Sequence, residues 1–376
     1  MKEKKYMNRQ RHKRVIISGG GTGGHIFPAI SIANALRRID PEIDILFVGA
    51  EGRMEMEKIP AAGYEIIGLP VAGIQRRLSV KNIKVLIKLL KSLRLAKKVI
   101  KDFNPDVVVG VGGYASGPVL RKAGRLGIPT LIQEQNSYAG VTNKLLARRA
   151  SRICVAYDGM NKYFPAEKII KTGNPVRHSF DNLPGLKDEA FSYFKLKKEF
   201  PVILVLGGSL GAGSINKSLL DSIGKLRDSD CQWLWQTGKY YYASITAKIS
   251  DIFTDNISVH DFIDRMDYAY AVADVIVSRA GAGTISELCL VGKPAMLVPS
   301  PNVAEDHQTK NARALADRNA AILIPDKRAV KILVTEAISL IADKERREQL
   351  SENIIKMADR DADIRIAQEV LKLTRE

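Results

Sequence analysis

The sequence predicts an α/β protein of two Rossmann-like domains facing each other across a cleft. Three observations predict it. Short, continuously apolar runs alternate with amphipathic stretches along the chain, as parallel strands covered by helices on both faces do. The run Val15-Ile16-Ile17 passes straight into Ser18-Gly19-Gly20-Gly21-Thr22-Gly23-Gly24-His25, which reads as strand end, glycine loop and helix start. The plan restarts at Val202–Leu206, which leads into Gly207-Gly208-Ser209-Leu210-Gly211-Ala212-Gly213. A chain of 376 residues has room for two cores. Domains of this class hold ligands beyond the carboxyl ends of their strands.

Residues 1–14 are basic and lack an apolar core, so they read as a solvated tail rather than a secretory signal. The first domain, 15–177, has strand candidates at Val15–Ser18, Ile45–Val48, Val107–Val111, Thr130–Ile132 and Ile153–Val155. Helical patterns lie between them, among them Ala29–Ile39, opening near Pro28, and Asn143–Arg149. The turn cluster Thr172-Gly173-Asn174-Pro175-Val176-Arg177 is the expected linker. The second domain, 178–360, has candidates at Val202–Leu206, Cys231–Trp235, Ser258–His260, Val275–Val277, Ala295–Val298 and Ala321–Ile324. The final stretch, 361–376, contains a helical pattern at Ala362–Leu373 that is expected to cross back onto the first domain.

Composition narrows the function classes. Hydrophobic residues make up 45% and charged residues 26%, as in ordinary globular domains. The formal net charge of +17 suggests polyanionic partners: nucleotides, nucleic acid or an anionic membrane. Nucleic acid is disfavoured, because the basic residues are not interleaved with aromatics and no RNA or DNA motif occurs. No apolar run reaches the length of a membrane span. Cys154, Cys231 and Cys289 are widely spaced and read as buried small hydrophobes.

Ile74 to Lys101 carries ten Lys/Arg and no acid. Lys81, Lys84, Lys88 and Lys91 share one helical face, while Ile83, Leu86, Ile87, Leu90 and Leu93 lie on the other, expected to pack on the sheet. The basic face, or the Ile74–Leu78 loop before it, suits anionic lipid.

Two further glycine loops follow apolar runs: Gly110-Val111-Gly112-Gly113-Tyr114-Ala115-Ser116-Gly117-Pro118 and Ala280-Gly281-Ala282-Gly283-Thr284-Ile285-Ser286-Glu287. Backbone amides at such loops and at helix starts attract phosphate. In the last of them Thr284 and Ser286 offer hydroxyls, and Glu287, expected in the first helical turn, either caps the helix or accepts ribose hydroxyls. Glu305-Asp306-His307-Gln308-Thr309-Lys310-Asn311-Ala312 crowds polar groups at another helix start.

These stretches carry a resemblance. GGTGGHIFPA (Gly20–Ala29), GVGGYASGP (Gly110–Pro118), QEQNSYAGVTNKLLA (Gln133–Ala147), TGNPVR (Thr172–Arg177), GGSLGA (Gly207–Ala212), SRAGAGTISE (Ser278–Glu287) and EDHQTKNA (Glu305–Ala312) run in the order found in the MurG family. This family comprises GT-B type N-acetylglucosaminyltransferases that complete the lipid-linked disaccharide precursor of peptidoglycan. The resemblance implies inverting transfer from UDP-N-acetylglucosamine to undecaprenyl-pyrophosphoryl-N-acetylmuramyl-pentapeptide, without metal or other cofactor. The implied location is the anionic cytoplasmic face of the inner membrane. The single D-x-D, Asp361-Ala362-Asp363, sits at a helix start and reads as capping.

The resemblance also implies roles for residues. Ser209 and Arg177 hold the diphosphate, the backbone around Ile263 the uracil and Glu287 the ribose. Ala282, Gly283, Thr284, Ile285 and Ser286 face phosphate, and Gln308 binds the sugar. Thr22, Gly23, Gly24 and Asn136 close over the sugar, while Gly112, Gly113, Tyr114 and Ser116 take the acceptor pyrophosphate. The general base is His25, with an ordinary pKa suited to neutral pH, or Glu134.

Two enzyme readings compete. An NAD-dependent oxidoreductase accounts for Gly19, Gly21 and Gly24, which satisfy G-x-G-x-x-G, with Glu51 on the ribose. It leaves the glycine loops of the second half unexplained. A UDP-N-acetylglucosamine 2-epimerase shares the architecture but has no need of a basic, apolar surface. A non-catalytic polyanion-binding module explains the charge but not four glycine loops.

Overall fold

The computed structural model describes residues 12–71, 81–176, 180, 182–208, 211–250, 252, 255–303 and 306–374. Side chains of 81–84 are outside the description. Two compact units emerge, one formed by Met1–Pro175 with Asp361–Glu376 and the other by Val176–Arg360.

In the first unit, strands and helices alternate: β1 (Arg14–Ser18), α1 (Gly23–Ile39), β2 (Asp44–Ala50), α2 (Glu55–Ala61), β3 (Glu65–Leu69), α3 (Lys81–Phe103) and β4 (Val107–Gly110). The series continues with α4 (Ser116–Arg125), β5 (Thr130–Glu134), α5 (Val141–Ala147), β6 (Arg152–Val155) and β7 (Ile169–Lys171). The seven strands form one sheet in the order β3-β2-β1-β4-β5-β6-β7, with every pairing parallel. Val15, Ile16 and Ile17 are wholly buried, as are Val107, Val108 and Val109 beside them. Both faces of a parallel sheet are covered, so its central strands are apolar throughout.

The second unit runs α6 (Lys187–Phe194), β8 (Val202–Leu206), α7 (Gly213–Asp221), α8 (Ile223–Arg227), β9 (Gln232–Gln236), α9 (Lys239–Ile249), β10 (Ile257–His260) and α10 (Met266–Val272). Then come β11 (Val275–Ser278), α11 (Ala282–Val291), β12 (Ala295–Leu297), α12 (His307–Ala316), β13 (Ile322–Leu323), α13 (Asp326–Ala342) and α14 (Lys344–Ile355). Its sheet is also parallel, in the order β10-β9-β8-β11-β12-β13. This is the Rossmann 3-2-1-4-5-6 order, and the first six strands of the other sheet follow it too.

The strand order reverses between β1 and β4 and between β8 and β11. The glycine loops predicted from the sequence follow these four strands. In each sheet, therefore, two loops emerge side by side at the switch point, with Ser18 paired to Gly110 and Leu206 to Ser278.

The last helix, α15 (Ala362–Leu371), packs on α1. Ile366, Ala367 and Val370 enter the same core as Ile30, Ala33 and Leu36. Arg365 donates twice to the Thr172 carbonyl. Asp363 is 1% exposed and pairs with Arg38 of α1. The D-x-D is therefore not a cap: Asp361 makes no side-chain capping bond, and Asp363 is turned inward to meet Arg38.

Three other expectations change. The first helix opens at Gly23 and includes Pro28. Two glycines provide its first turn, and Pro28 removes only the bond to the Gly24 carbonyl. Glu287 lies in the second turn of α11, too far along to cap it. On α3, Leu86, Ile87 and Leu90 are 57%, 61% and 49% exposed, while Ser92, Ala96, Val99 and Ile100 are buried. The helix has 23 residues, about 35 Å at 1.5 Å each, against about 13 Å for the four-residue β4 beside it. Its later turns are the part that packs, with Ala96, Val99 and Ile100 entering the core that holds Val108.

Candidate functional site

In the first unit the site grows from the loop after β1. Gly20 and Gly21 have φ of +147° and +88°, which turn the chain so that α1 opens against the carboxyl end of the sheet. Thr22 is the N-cap residue, without a side-chain capping bond. Gly23 and Gly24 form the first turn, where α-helical amides lack intrahelical acceptors. His25 follows on this turn, its Nδ1 3.4 Å from Thr22 Oγ1.

The loop after β4 closes against this one. A β-carbon at Gly112 would lie 2.8 Å from both Cδ2 and Nε2 of His25, and one at Gly113 would lie 2.3 Å from the Gly20 carbonyl oxygen. Only glycines admit such an approach, and both have positive φ. Tyr114 is exposed, whereas Ser116 is buried and donates from Oγ to the Gly113 carbonyl at 3.0 Å. Ser116 thus shapes the loop from within, its hydroxyl held by the Gly113 carbonyl.

Glu134 ends β5 and is 2% exposed. Its Oε1 accepts from the Asn136 backbone N–H at 3.1 Å and from Asn136 Nδ2 at 3.3 Å. Its Oε2 accepts from the Gly140 N–H and from Asn143 Nδ2, both at 2.9 Å. Both oxygens are occupied, which suits an orienting role better than proton transfer. Asn136 keeps Oδ1 to offer a ligand.

Burial lowers the pKa of His25 below the usual imidazole value, opposed by the charges of Glu134 and Glu55 and by a hydrogen bond with the Gly20 carbonyl. That direction favours the neutral ring, the form able to accept a proton.

In the second unit, Arg177 and Ser209 lie outside the described residues. Ile263 is buried and donates its backbone N–H to Gln236 Oε1 at 2.9 Å, which leaves its carbonyl for a ligand. Ala282, Gly283, Thr284 and Ile285 open α11. The Ile285 N–H is committed to the Gly281 carbonyl, so the amides of 282–284 are those available. Ser286 donates to the Ala282 carbonyl, so its hydroxyl serves the helix. Glu287 Oε2 accepts from the Tyr270 hydroxyl at 3.1 Å. Gln308 Oε1 accepts from the Ser300 N–H at 2.9 Å, which leaves its NH2 to donate.

Supporting residues escaped the sequence reading. Gln236, at the end of β9, donates to the Gly208 carbonyl at 3.2 Å while accepting from Ile263, so it ties the β8 loop to the segment after β10. Arg279 pairs with Asp326 and donates to Ser214, joining the end of β11 to the starts of α7 and α13. Glu55 is 1% exposed and accepts from the Gly21 N–H at 2.9 Å and the Ala50 N–H at 3.0 Å. A polar residue ending an apolar strand, as in Gln232–Gln236, was a usable signal. Nothing local marks Glu55, whose partner Gly21 is 34 residues away.

Two Rossmann-like units, each with paired glycine loops at its switch point, have the architecture of GT-B glycosyltransferases. The comparisons agree on that class. The glycosyltransferase family 28 N-terminal domain matches residues 15–155 and the family 28 C-terminal domain residues 202–366. The UDP-N-acetylglucosamine–N-acetylmuramyl-(pentapeptide) pyrophosphoryl-undecaprenol N-acetylglucosamine transferase of Parabacteroides distasonis is 57% identical over 96% of this chain and 99% of its own. That of Porphyromonas gingivalis is 57% identical over 96% and 95%. The crystal structure of Acinetobacter baumannii MurG matches with a TM-score of 0.70 at 28% identity, over 96% of this chain and 99% of its own. A UDP-GlcNAc 2-epimerase from Neisseria meningitidis has a TM-score of 0.66 at 16% identity over 96% and 100%, a likeness of fold alone. The chain belongs to the MurG family of glycosyltransferases, within glycosyltransferase family 28. Membership disfavours the oxidoreductase and epimerase readings.

Proposed function

We propose that this protein transfers N-acetylglucosamine from UDP-N-acetylglucosamine to the 4-hydroxyl of lipid-linked N-acetylmuramyl-pentapeptide, inverting the anomeric centre. The observation that carries the reading is 57% identity, over nearly the whole chain, to transferases bearing that name.

The second unit holds the donor. Glu287 takes the ribose, the backbone near Ile263 the uracil and Gln308 the sugar, with Ser209 and Arg177 on the diphosphate. The first-turn amides of 282–284 and Thr284 face phosphate. In the first unit, Thr22, Gly23, Gly24 and Asn136 contact the sugar, while Gly112, Gly113 and Tyr114 take the acceptor pyrophosphate.

The transition state resembles an oxocarbenium ion, as in glycoside hydrolysis. As the glycosidic bond breaks, negative charge grows on the departing diphosphate. Fixed N–H donors, a helix start and Arg177 bind that charge more tightly than the ground state, without a divalent cation. His25 takes the acceptor hydroxyl proton, a role that typically contributes about 10²–10⁴-fold. Glu134 and Glu55 favour the imidazolium so formed.

The acceptor is membrane-bound, so the enzyme must reach a bilayer. Among the described residues no helix is long and apolar enough to cross one. The earlier turns of α3 carry exposed Leu86, Ile87 and Leu90 beside exposed Lys88, Lys91 and Arg94. This combination suits peripheral docking on the anionic inner leaflet.

Incubation with labelled UDP-N-acetylglucosamine and chelator, with and without the lipid-linked acceptor, tests the reading. Disaccharide formation that needs the acceptor and survives chelation supports it. Consumption of the sugar nucleotide without acceptor sinks it.

A further inference from the structure

We propose that Glu55 is a positioning residue for transfer: its carboxylate fixes the Gly20–Gly21 peptide and, through that peptide, the imidazole of His25. The inference rests on His25 being the base.

The geometry forms a relay. Glu55 Oε2 accepts from the Gly21 N–H at 2.9 Å. The carbonyl of that same peptide unit belongs to Gly20 and packs against Gly113, where a β-carbon would lie 2.3 Å from its oxygen, and the neighbouring Gly112 abuts the His25 ring in the same way at 2.8 Å. A planar peptide held by its N–H presents its C=O in a fixed direction. The second oxygen, Oε1, accepts from the Ala50 N–H at 3.0 Å, so the carboxylate is anchored to the end of β2 and cannot swing.

The fold makes a slot for this carboxylate. A β-carbon at Gly20 would lie 2.0 Å from Glu55 Oε1, and one at Gly49 would lie 2.7 Å from its Cγ. Burying a carboxylate is costly, and an apolar side chain fills such a slot at less expense when only packing is needed. A carboxylate alone accepts both N–H groups and also brings negative charge towards His25. The acids whose charges act on that ring are Glu55 and Glu134, and both stabilise the imidazolium as the proton arrives.

The test compares wild type with Glu55→Gln, counting competent molecules by titration with UDP. The amide keeps the shape but turns an NH2 towards one of the two N–H donors. Expected are a kcat lower by about tenfold or more, KM for the sugar nucleotide and UDP affinity little changed, and the acid limb of the kcat profile moved to lower pH. Glu55→Asp keeps the charge but is too short to hold both N–H groups. It is expected to lose kcat with the acid limb in place, and it serves if the glutamine variant does not fold. Wild-type kcat and an unmoved acid limb per UDP-binding molecule in Glu55→Gln, or wild-type kcat in Glu55→Asp, overturn the inference. Absence of transfer by the wild type overturns instead the functional reading beneath it.

Discussion

Replacing Gly112 by alanine should displace the imidazole of His25, the proposed base, at a position proposed to face the acceptor pyrophosphate rather than UDP, so acceptor KM is read beside kcat. The added methyl would sit 2.8 Å from Cδ2 and Nε2 of His25. Ordinary carbon contact begins near 3.4 Å, so the ring must retreat by about 0.6 Å. A misplacement of about 1 Å costs about a hundredfold in rate, which places the expected loss of kcat between about tenfold and a hundredfold. The substitution also forces an L-residue to φ +98°, at about 1–2 kcal/mol. Gly127→Ala separates the two effects. Gly127 has φ +75°, with nothing within 4 Å of a β-carbon. Both variants should melt earlier, and only Gly112→Ala should lose kcat at saturating donor and acceptor. Equal kcat in the two variants would refute the reasoning.

Glu134→Gln places an NH2 among four N–H donors and should destabilise the protein by about 1–3 kcal/mol in chemical denaturation. It also removes a charge that raises the pKa of His25, so the acid limb of kcat should move to lower pH. Replacing Leu86, Ile87 and Leu90 together by serine should weaken binding to anionic vesicles by about a hundredfold and leave UDP affinity unchanged in calorimetry. Burial pushes the Cys154 and Cys289 thiols up to about 12 and raises Cys231 as well. All three should resist a thiol reagent at pH 8 in the native protein and react once it is unfolded.

The central strands were legible because parallel strands covered on both faces need unbroken apolar runs, as in Val107–Val109. Two strands escaped, and both lie at edges of the first sheet. Glu65–Leu69 buries only Leu69, and Ile169–Lys171 is three residues with none buried. Each offers only one pair of adjacent isoleucines, Ile66-Ile67 and Ile169-Ile170, too short a run to stand out. The exposed stripe on α3 was misjudged because its pattern gives the apolar face but not which turns of it are covered. The glycine loops announced phosphate chemistry, since glycine marks close backbone approach wherever it stands. Their adjacency did not appear, because strand order at a switch point is set by pairing between distant segments. Glu55 and the Arg279–Asp326 pair were invisible for the same reason, whereas Gln236 carried a signal at its strand end that went unused.

Stereochemistry tests the central claim most directly. Proton NMR of the disaccharide made from UDP-N-acetylglucosamine and the lipid-linked muramyl acceptor reads the coupling of the new anomeric proton. A β linkage from the α-linked donor is the expected result. An α linkage would contradict single displacement with His25 as the base.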